Sequence, residues 1–217
     1  GKVMALASYG KPSLRDAFSK LIEIREDGSF RLNLDYFSFH YDLVMTSPRF
    51  SEIFGPPRRH EEPILPEHQD LAAALQATVE DVVLRLVRHA HRTYGLDRLC
   101  LAGGVALNCV ANGRILRETP IREIFVQPAA GDDGGAIGSA LYLYTRLFGG
   151  RRRWRMRVDL GPSYSDAEIE AYLKRVQATY EDVGAERLPA RVAELLAEGK
   201  IAGWFQGRME YGPRALG

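Results

Sequence analysis

The sequence predicts an α/β fold, on three observations. Residues 67–94 carry apolar side chains at steps of three and four, the period of a long amphipathic helix. Short apolar runs at 98–102 and 121–126 read as buried strands. Each strand runs into a glycine-rich turn that opens a helical stretch. The turns are Ala102-Gly103-Gly104-Val105-Ala106-Leu107-Asn108 and Gly131-Asp132-Asp133-Gly134-Gly135-Ala136-Ile137-Gly138. The order helix–strand–turn–helix–strand–turn–helix is an α/β alternation.

Taken from the start, residues 1–10 read as an apolar turn closing at Gly10, followed by a short helix to Lys20. Residues 21–25 and 30–34 flank Asp27-Gly28, whose glycine accepts the positive φ of a tight hairpin turn. Residues 35–66 are rich in aromatics and prolines and read as irregular. The long helix buries Leu71, Leu75, Val79, Val82, Val83, Leu86 and Val87 and stops at Gly95. A helix over 108–117 separates the two strands, and another follows over 135–148. Beyond the run Arg151-Arg152-Arg153-Trp154-Arg155-Met156-Arg157, Ser165 and Glu168 form a capping box for a helix to about residue 179. Pro189 and Gly199 bracket a further helix, and residues 200–206 read as a strand. The predicted organisation is 1–150, a basic linker at 151–160, and a second domain over 161–217.

Composition narrows the function. Among 217 residues, 46% are hydrophobic and 26% charged, as in a soluble globular protein. A net charge of +1 gives no bulk electrostatic case for nucleic acid or a membrane surface. No apolar run reaches the length of a membrane span, and no secretory signal is visible. The two cysteines, Cys100 and Cys109, match no metal or redox spacing; Cys100 reads as a small buried hydrophobe. A reducing, cytoplasmic setting is expected. A homodimer is kept as an expectation for the assembly. The start without Met and the end just after a dense motif read as a fragment of a longer protein.

Backbone amides approach a phosphate closely only where no side chain intervenes, and helix N-termini offer unpaired N–H groups. Gly103 and Gly104 therefore suit a nucleotide, or simply a structural turn. Asn108 suits a helix cap, or a ribose or base. Asp132 and Asp133 suit a cap, or a divalent metal beside phosphate. Arg208 and Arg214 supply forked donors for phosphate or carboxylate, with Glu210 to orient one of them, or they join a surface ion-pair network. The pair His89 and His91 does not share a helix face, and His40, His60 and His68 lack partners at ligand spacing.

Five motifs in order carry a resemblance. They are Gly-Lys-Val-Met-x-Leu-Ala-x-Tyr-Gly, Gly-Gly-Val-Ala-Leu-Asn, Gly-Asp-Asp-Gly-Gly-Ala-Ile-Gly, Gly-Pro-Ser-Tyr-Ser and Gly-Arg-Met-Glu-Tyr-Gly-Pro-Arg-Ala-Leu-Gly. Together they resemble the NodU/CmcH O-carbamoyltransferase family. The resemblance implies the second half of an actin/sugar-kinase-like (ASKHA) domain followed by the start of a YrdC-like α+β domain. It implies ATP and carbamoyl phosphate reacting to a carbamoyl adenylate and pyrophosphate, then carbamoyl transfer to a hydroxyl of a small-molecule acceptor. It also implies a divalent metal, held by Asp132. Magnesium or manganese suits hard oxygen ligands; iron or zinc suits the histidines that would precede this chain. Gly103, Gly104 and Asn108 would hold adenosine, with Gly10 and Asp133 nearby, and Arg208 and Arg214 would face carbamoyl phosphate. Ala5 and Ser8 stand where the family usually has Gly and Pro. With metal ligands and the first phosphate loop upstream, the fragment itself is expected to be inactive. The alternatives are a kinase-like phosphotransferase or ATPase and a non-catalytic nucleotide-binding module.

Overall fold

The computed structural model describes residues 2–151 and 157–213. Most of the arginine run, and with it the centre of the expected linker, lies outside the described residues, as does Arg214. The fold is mixed α/β, and the chain divides into two compact units, residues 1–131 and 132–217.

The first unit is organised by a long helix, α4 (Pro66–Tyr94), which ends at Gly95 in the left-handed region, φ +65°. The residues before Gly10 form a helix, α1 (Lys2–Ala7), where the sequence suggested a turn. Ser8 Oγ donates to the Ala5 carbonyl at 2.7 Å and helps end it. α1 packs along α4. Gly10 sits where the two backbones meet: a Cβ there would lie 2.1 Å from the Gln69 carbonyl oxygen. A short helix, α2 (Arg15–Phe18), leads into β1 (Ile22–Ile24) and β2 (Phe30–Leu32), an antiparallel pair with Ile22 opposite Leu32. Gly28 in their turn has φ +84°, and a Cβ there would lie 2.4 Å from the Leu86 amide nitrogen. Strain and space both require glycine at that point.

The aromatic stretch is more ordered than its prolines suggested. Helix α3 (Pro48–Phe54) places Phe50 and Phe54 with ring centroids 4.6 Å apart, and Phe54 meets Phe18 at 5.3 Å.

Helix α4 buries Val82 and Val87 as its period indicated, but its buried stripe is wider and shifted towards small and polar residues. Leu75 and Leu86 are exposed, whereas Ala72, Ala73, Ala74, Gln76, Thr78 and Glu80 are buried. The reason is that α1, α2 and α5 (Cys109–Glu118) all pack against α4. Small residues allow that approach, and the polar ones are hydrogen-bonded.

Strands β3 (Arg98–Leu101) and β4 (Glu123–Val126) pair in parallel, in register from Arg98–Glu123 to Leu101–Val126. Helix α5 is their crossover, so the segment is a βαβ unit. Leu84 and Val87 of α4 form the core with Ile115 and Ile121, and Leu99, Leu101 and Ile124 pack onto it. The opposite face of the pair is exposed, and it carries Cys100 and Phe125. The expectation of a buried Cys100 is therefore wrong. Side chains alternate along a strand, and the core lies on one side only.

The second unit holds α6 (Gly134–Arg146), α7 (Asp166–Arg175) and α8 (Leu188–Ala197), none of which contains a buried residue. The capping box is formed: the Glu168 amide donates to Ser165 Oγ at 3.3 Å, and the Ser165 amide donates to Glu168 Oε2 at 2.8 Å. α7 stops at Arg175, short of residue 179, and Gln177 adopts φ +54° just beyond. Residues 200–206 form no strand. Backbone pairing instead joins residues 158–162 to 209–211: Gly161 N donates to Met209 O at 2.9 Å, and Tyr211 N to Val158 O at 2.6 Å. An apolar run becomes a strand only where a partner receives its ladder. Among the described residues, no helix is long and apolar enough to cross a membrane.

Candidate functional site

The turn after β3 is held from several sides. Gly103 adopts φ +96° and its amide donates to the Ala130 carbonyl at 2.7 Å, tying the turn to the loop after β4. Gly104–Leu107 form one turn of 3₁₀ helix. Asn112 Nδ2 donates to the Ala106 carbonyl at 2.7 Å. Asn108 caps α5, its Oδ1 accepting from Ala111 N at 3.1 Å.

Asn108 also forms a reciprocal amide pair with Gln76 of α4. Its Nδ2 donates to Gln76 Oε1 at 2.9 Å, and Gln76 Nε2 donates to Asn108 Oδ1 at 3.1 Å. Gln76 Nε2 donates as well to buried Glu80, at 2.6 Å. Glu80 accepts in turn from Arg114 of α5 at 2.6 Å. Arg114 also makes a fork onto Glu118, at 2.6 and 2.7 Å. The hydrogen bonds it donates to Glu118 and Glu80 hold the guanidinium in its charged form, raising its pKa.

The glycines of the site differ in what they explain. Gly10 is accounted for by its contact with α4, and Gly103 by its backbone angle. Gly104 is accounted for by neither. It has no positive φ, and a Cβ there would meet nothing within 4 Å among the described residues. Gly131 lies against it, 3.7 Å from its built Cβ position to Gly104 Cα.

In the second unit, Asp132 and Asp133 are both exposed. Asp133 occupies the position before α6, yet its side chain makes no capping hydrogen bond. Its carbonyl accepts from the Tyr211 hydroxyl, so the Gly-Arg-Met-Glu-Tyr-Gly motif touches the start of α6. Arg208 donates from Nε to the Gly161 carbonyl at 2.9 Å, which joins that motif to Gly-Pro-Ser-Tyr-Ser. Beside it, Arg157 forks onto Asp159, one bond being 2.8 Å. That pairing pulls the Asp159 carboxyl down to about 2, with Arg208 adding to the effect.

Among the described residues, no group of three His, Cys, Asp or Glu side chains could hold a metal. The histidines are used otherwise. His68 Nδ1 accepts from Leu65 N at 2.9 Å, and the ring nitrogen of His91 lies 2.9 Å from the Leu96 carbonyl. His40 stacks edge-on between Phe39 and Tyr41. Asp132 offers one hard oxygen donor, which by itself is not a metal site.

Sequence reasoning missed Gln76, Glu80 and Arg114. Their signal was present: polar residues four apart, Gln76 with Glu80 and Arg114 with Glu118, sit on helix faces otherwise given to small and apolar side chains.

The family description Carbamoyltransferase N-terminus matches residues 1–141, and Carbamoyltransferase C-terminus matches residues 193–217. The chain belongs to the carbamoyltransferase family. It is 49% identical to an uncharacterized protein of Synechocystis sp., over 100% of this chain and 37% of the relative. It is 40% identical to Nodulation protein NolNO of Sinorhizobium fredii, over 100% of this chain and 31% of the relative. It is 26% identical to the 3'-hydroxymethylcephem-O-carbamoyltransferase of Streptomyces clavuligerus, over 100% of this chain and 37% of the relative. The chain thus spans about a third of the length of these relatives.

Proposed function

We propose that the protein containing this chain is an O-carbamoyltransferase that activates its carbamoyl group with ATP. Residues 1–150 would belong to an actin/sugar-kinase-like domain and 161–217 to the start of a YrdC-like domain. The observation that carries the reading is Gly104, a glycine that neither strain nor packing requires, on a turn braced by its neighbours. A braced turn with an open glycine suits the close approach of a nucleotide phosphate or ribose.

In this reading water cleaves carbamoyl phosphate to carbamate and orthophosphate. A carbamate oxygen then attacks the α-phosphorus of ATP, the bond to the β-phosphate breaks, and pyrophosphate leaves carbamoyl adenylate behind. Arg208, clamped at Nε by Gly161, directs the rest of its guanidinium to the phosphate end, and Arg214 joins it. A hydroxyl oxygen of the acceptor then attacks the carbamoyl carbon, its proton leaves, and AMP departs. The name of the cephem relative supports a hydroxyl as acceptor. Gly103 and Gly104 admit the adenylate, and Asn108 has one Nδ2 hydrogen for a ligand acceptor. Asp132 would be one ligand of a divalent metal. The described residues do not complete the set, so no step is assigned to the metal.

The test is pyrophosphate release by the full-length protein. Release from ATP is expected only with carbamoyl phosphate present. Gly104→Val should abolish it while folding stability stays unchanged, since its side chain enters open space. Release without carbamoyl phosphate, or a fully active Gly104→Val variant, would sink the reading.

A further inference from the structure

We infer that Gln76, Glu80 and Arg114 are positioning residues: a relay running from α5 through α4 that fixes which way the Asn108 amide faces. The inference rests on the nucleotide reading of the 103–108 turn.

Hydrogen-bond direction makes the case. Arg114 can only donate and an ionised Glu80 can only accept. Glu80 therefore turns the NH₂ of Gln76 towards itself, at 2.6 Å. With that end fixed, Gln76 Oε1 points to Asn108 and accepts from its Nδ2 at 2.9 Å. Asn108 Oδ1 is fixed at the same time by the Ala111 amide and by Gln76 Nε2, both at 3.1 Å. The reverse orientation of Asn108 would set its NH₂ against two donors. One Nδ2 hydrogen goes to Gln76, and the second has no acceptor among the described residues. Its direction is set by Gln76, 32 positions away in sequence, and through it by Glu80 on the same helix.

The arrangement is also protected from water. Gln76 and Glu80 are buried, at 9% and 8% exposure, in a helix whose neighbours on that side are alanines. Buried polar side chains on a core helix cost stability unless fully bonded. Here Gln76 and Glu80 are bonded at every step, and the chain ends at Asn108, the residue after the 3₁₀ turn. Helix capping alone needs only Asn108; it does not need Gln76, Glu80 or Arg114.

Calorimetric titration of the full-length protein with ATP tests the relay. Gln76→Met keeps the volume and removes the amide, and it should weaken ATP binding about tenfold. Asn108→Ala should give a similar loss, and the double variant should be no weaker than Asn108→Ala alone. Glu80→Gln retains an acceptor for Gln76 and should stay within about threefold of the parent, whereas Glu80→Ala should follow Gln76→Met. Val87→Ala removes packing from the same helix and controls for stability; it should lower Tm and leave ATP affinity unchanged. Unchanged affinity in Gln76→Met, or an equal loss in Val87→Ala, would overturn the relay while leaving the nucleotide reading intact. A parent protein that binds no ATP would remove both.

Discussion

The two glycine-rich turns, so alike in sequence, are held in different ways. The turn at 103–108 rests on partners from other segments: the Ala130 carbonyl, Asn112, and the chain from buried Gln76 and Glu80 to half-buried Arg114. The turn at 131–138 leads into a helix with no buried residue, and both of its carboxylates lie in solvent without a capping bond. The units around them differ likewise. Helix α4 draws on a core at Leu84, Val87, Ile115 and Ile121, whereas α7 and α8 bury nothing. The lesson is that glycine marks where a chain can turn, while buried hydrogen-bonded partners decide how firmly the turn is set.

Three changes would break or sharpen this contrast. The largest effect is expected from Glu80→Ala. It leaves Gln76 and Arg114 without their shared acceptor, in a site whose carboxylate is 10% exposed. Urea unfolding should show a loss of about 2 to 3 kcal/mol, tempered by the partial exposure of Arg114. A loss below about 0.5 kcal/mol would mean that the first turn does not depend on its buried brace.

A smaller effect is expected in the second unit. Asp133→Ala removes a side chain that makes no cap bond, so its unfolding midpoint should move by no more than about 0.5 kcal/mol. A loss of about 1 kcal/mol, the usual worth of a cap, would show that the second turn is braced after all.

The smallest effect is a titration. Asp159 is held at about 2, below its ordinary 3.8, by Arg157. A depressed carboxylate stabilises the fold above the ordinary value, and that contribution fades as pH falls through about 2. Carbon-detected NMR of the Asp159 carboxyl should place its midpoint near 2, and Arg157→Gln should return it towards 3.8. A midpoint already at 3.8 in the parent would mean that the Arg157–Asp159 pair does not persist in solution.

Much of this was legible in the chain itself. Local chemistry sufficed for the α4 period, the Gly28 hairpin, the Ser165–Glu168 box and the order of strand, turn and helix around 98–148. Each depends on neighbours within a few residues. The family was legible too, because motif order is a property of sequence. Arg214 was singled out by its motif and lies outside the described residues, so its place is still an expectation. Three things came only from tertiary structure. Residues 200–206 find no ladder partner among the described residues, and their apolar run forms no strand. Cys100 lies on the uncovered face of a two-stranded pair. Gln76 and Glu80 look like solvent-facing helix residues until α5 brings Asn108 and Arg114 against them. Periodicity records which residues share a face. What covers that face, and which donor meets which acceptor across it, is settled by segments far away in the chain.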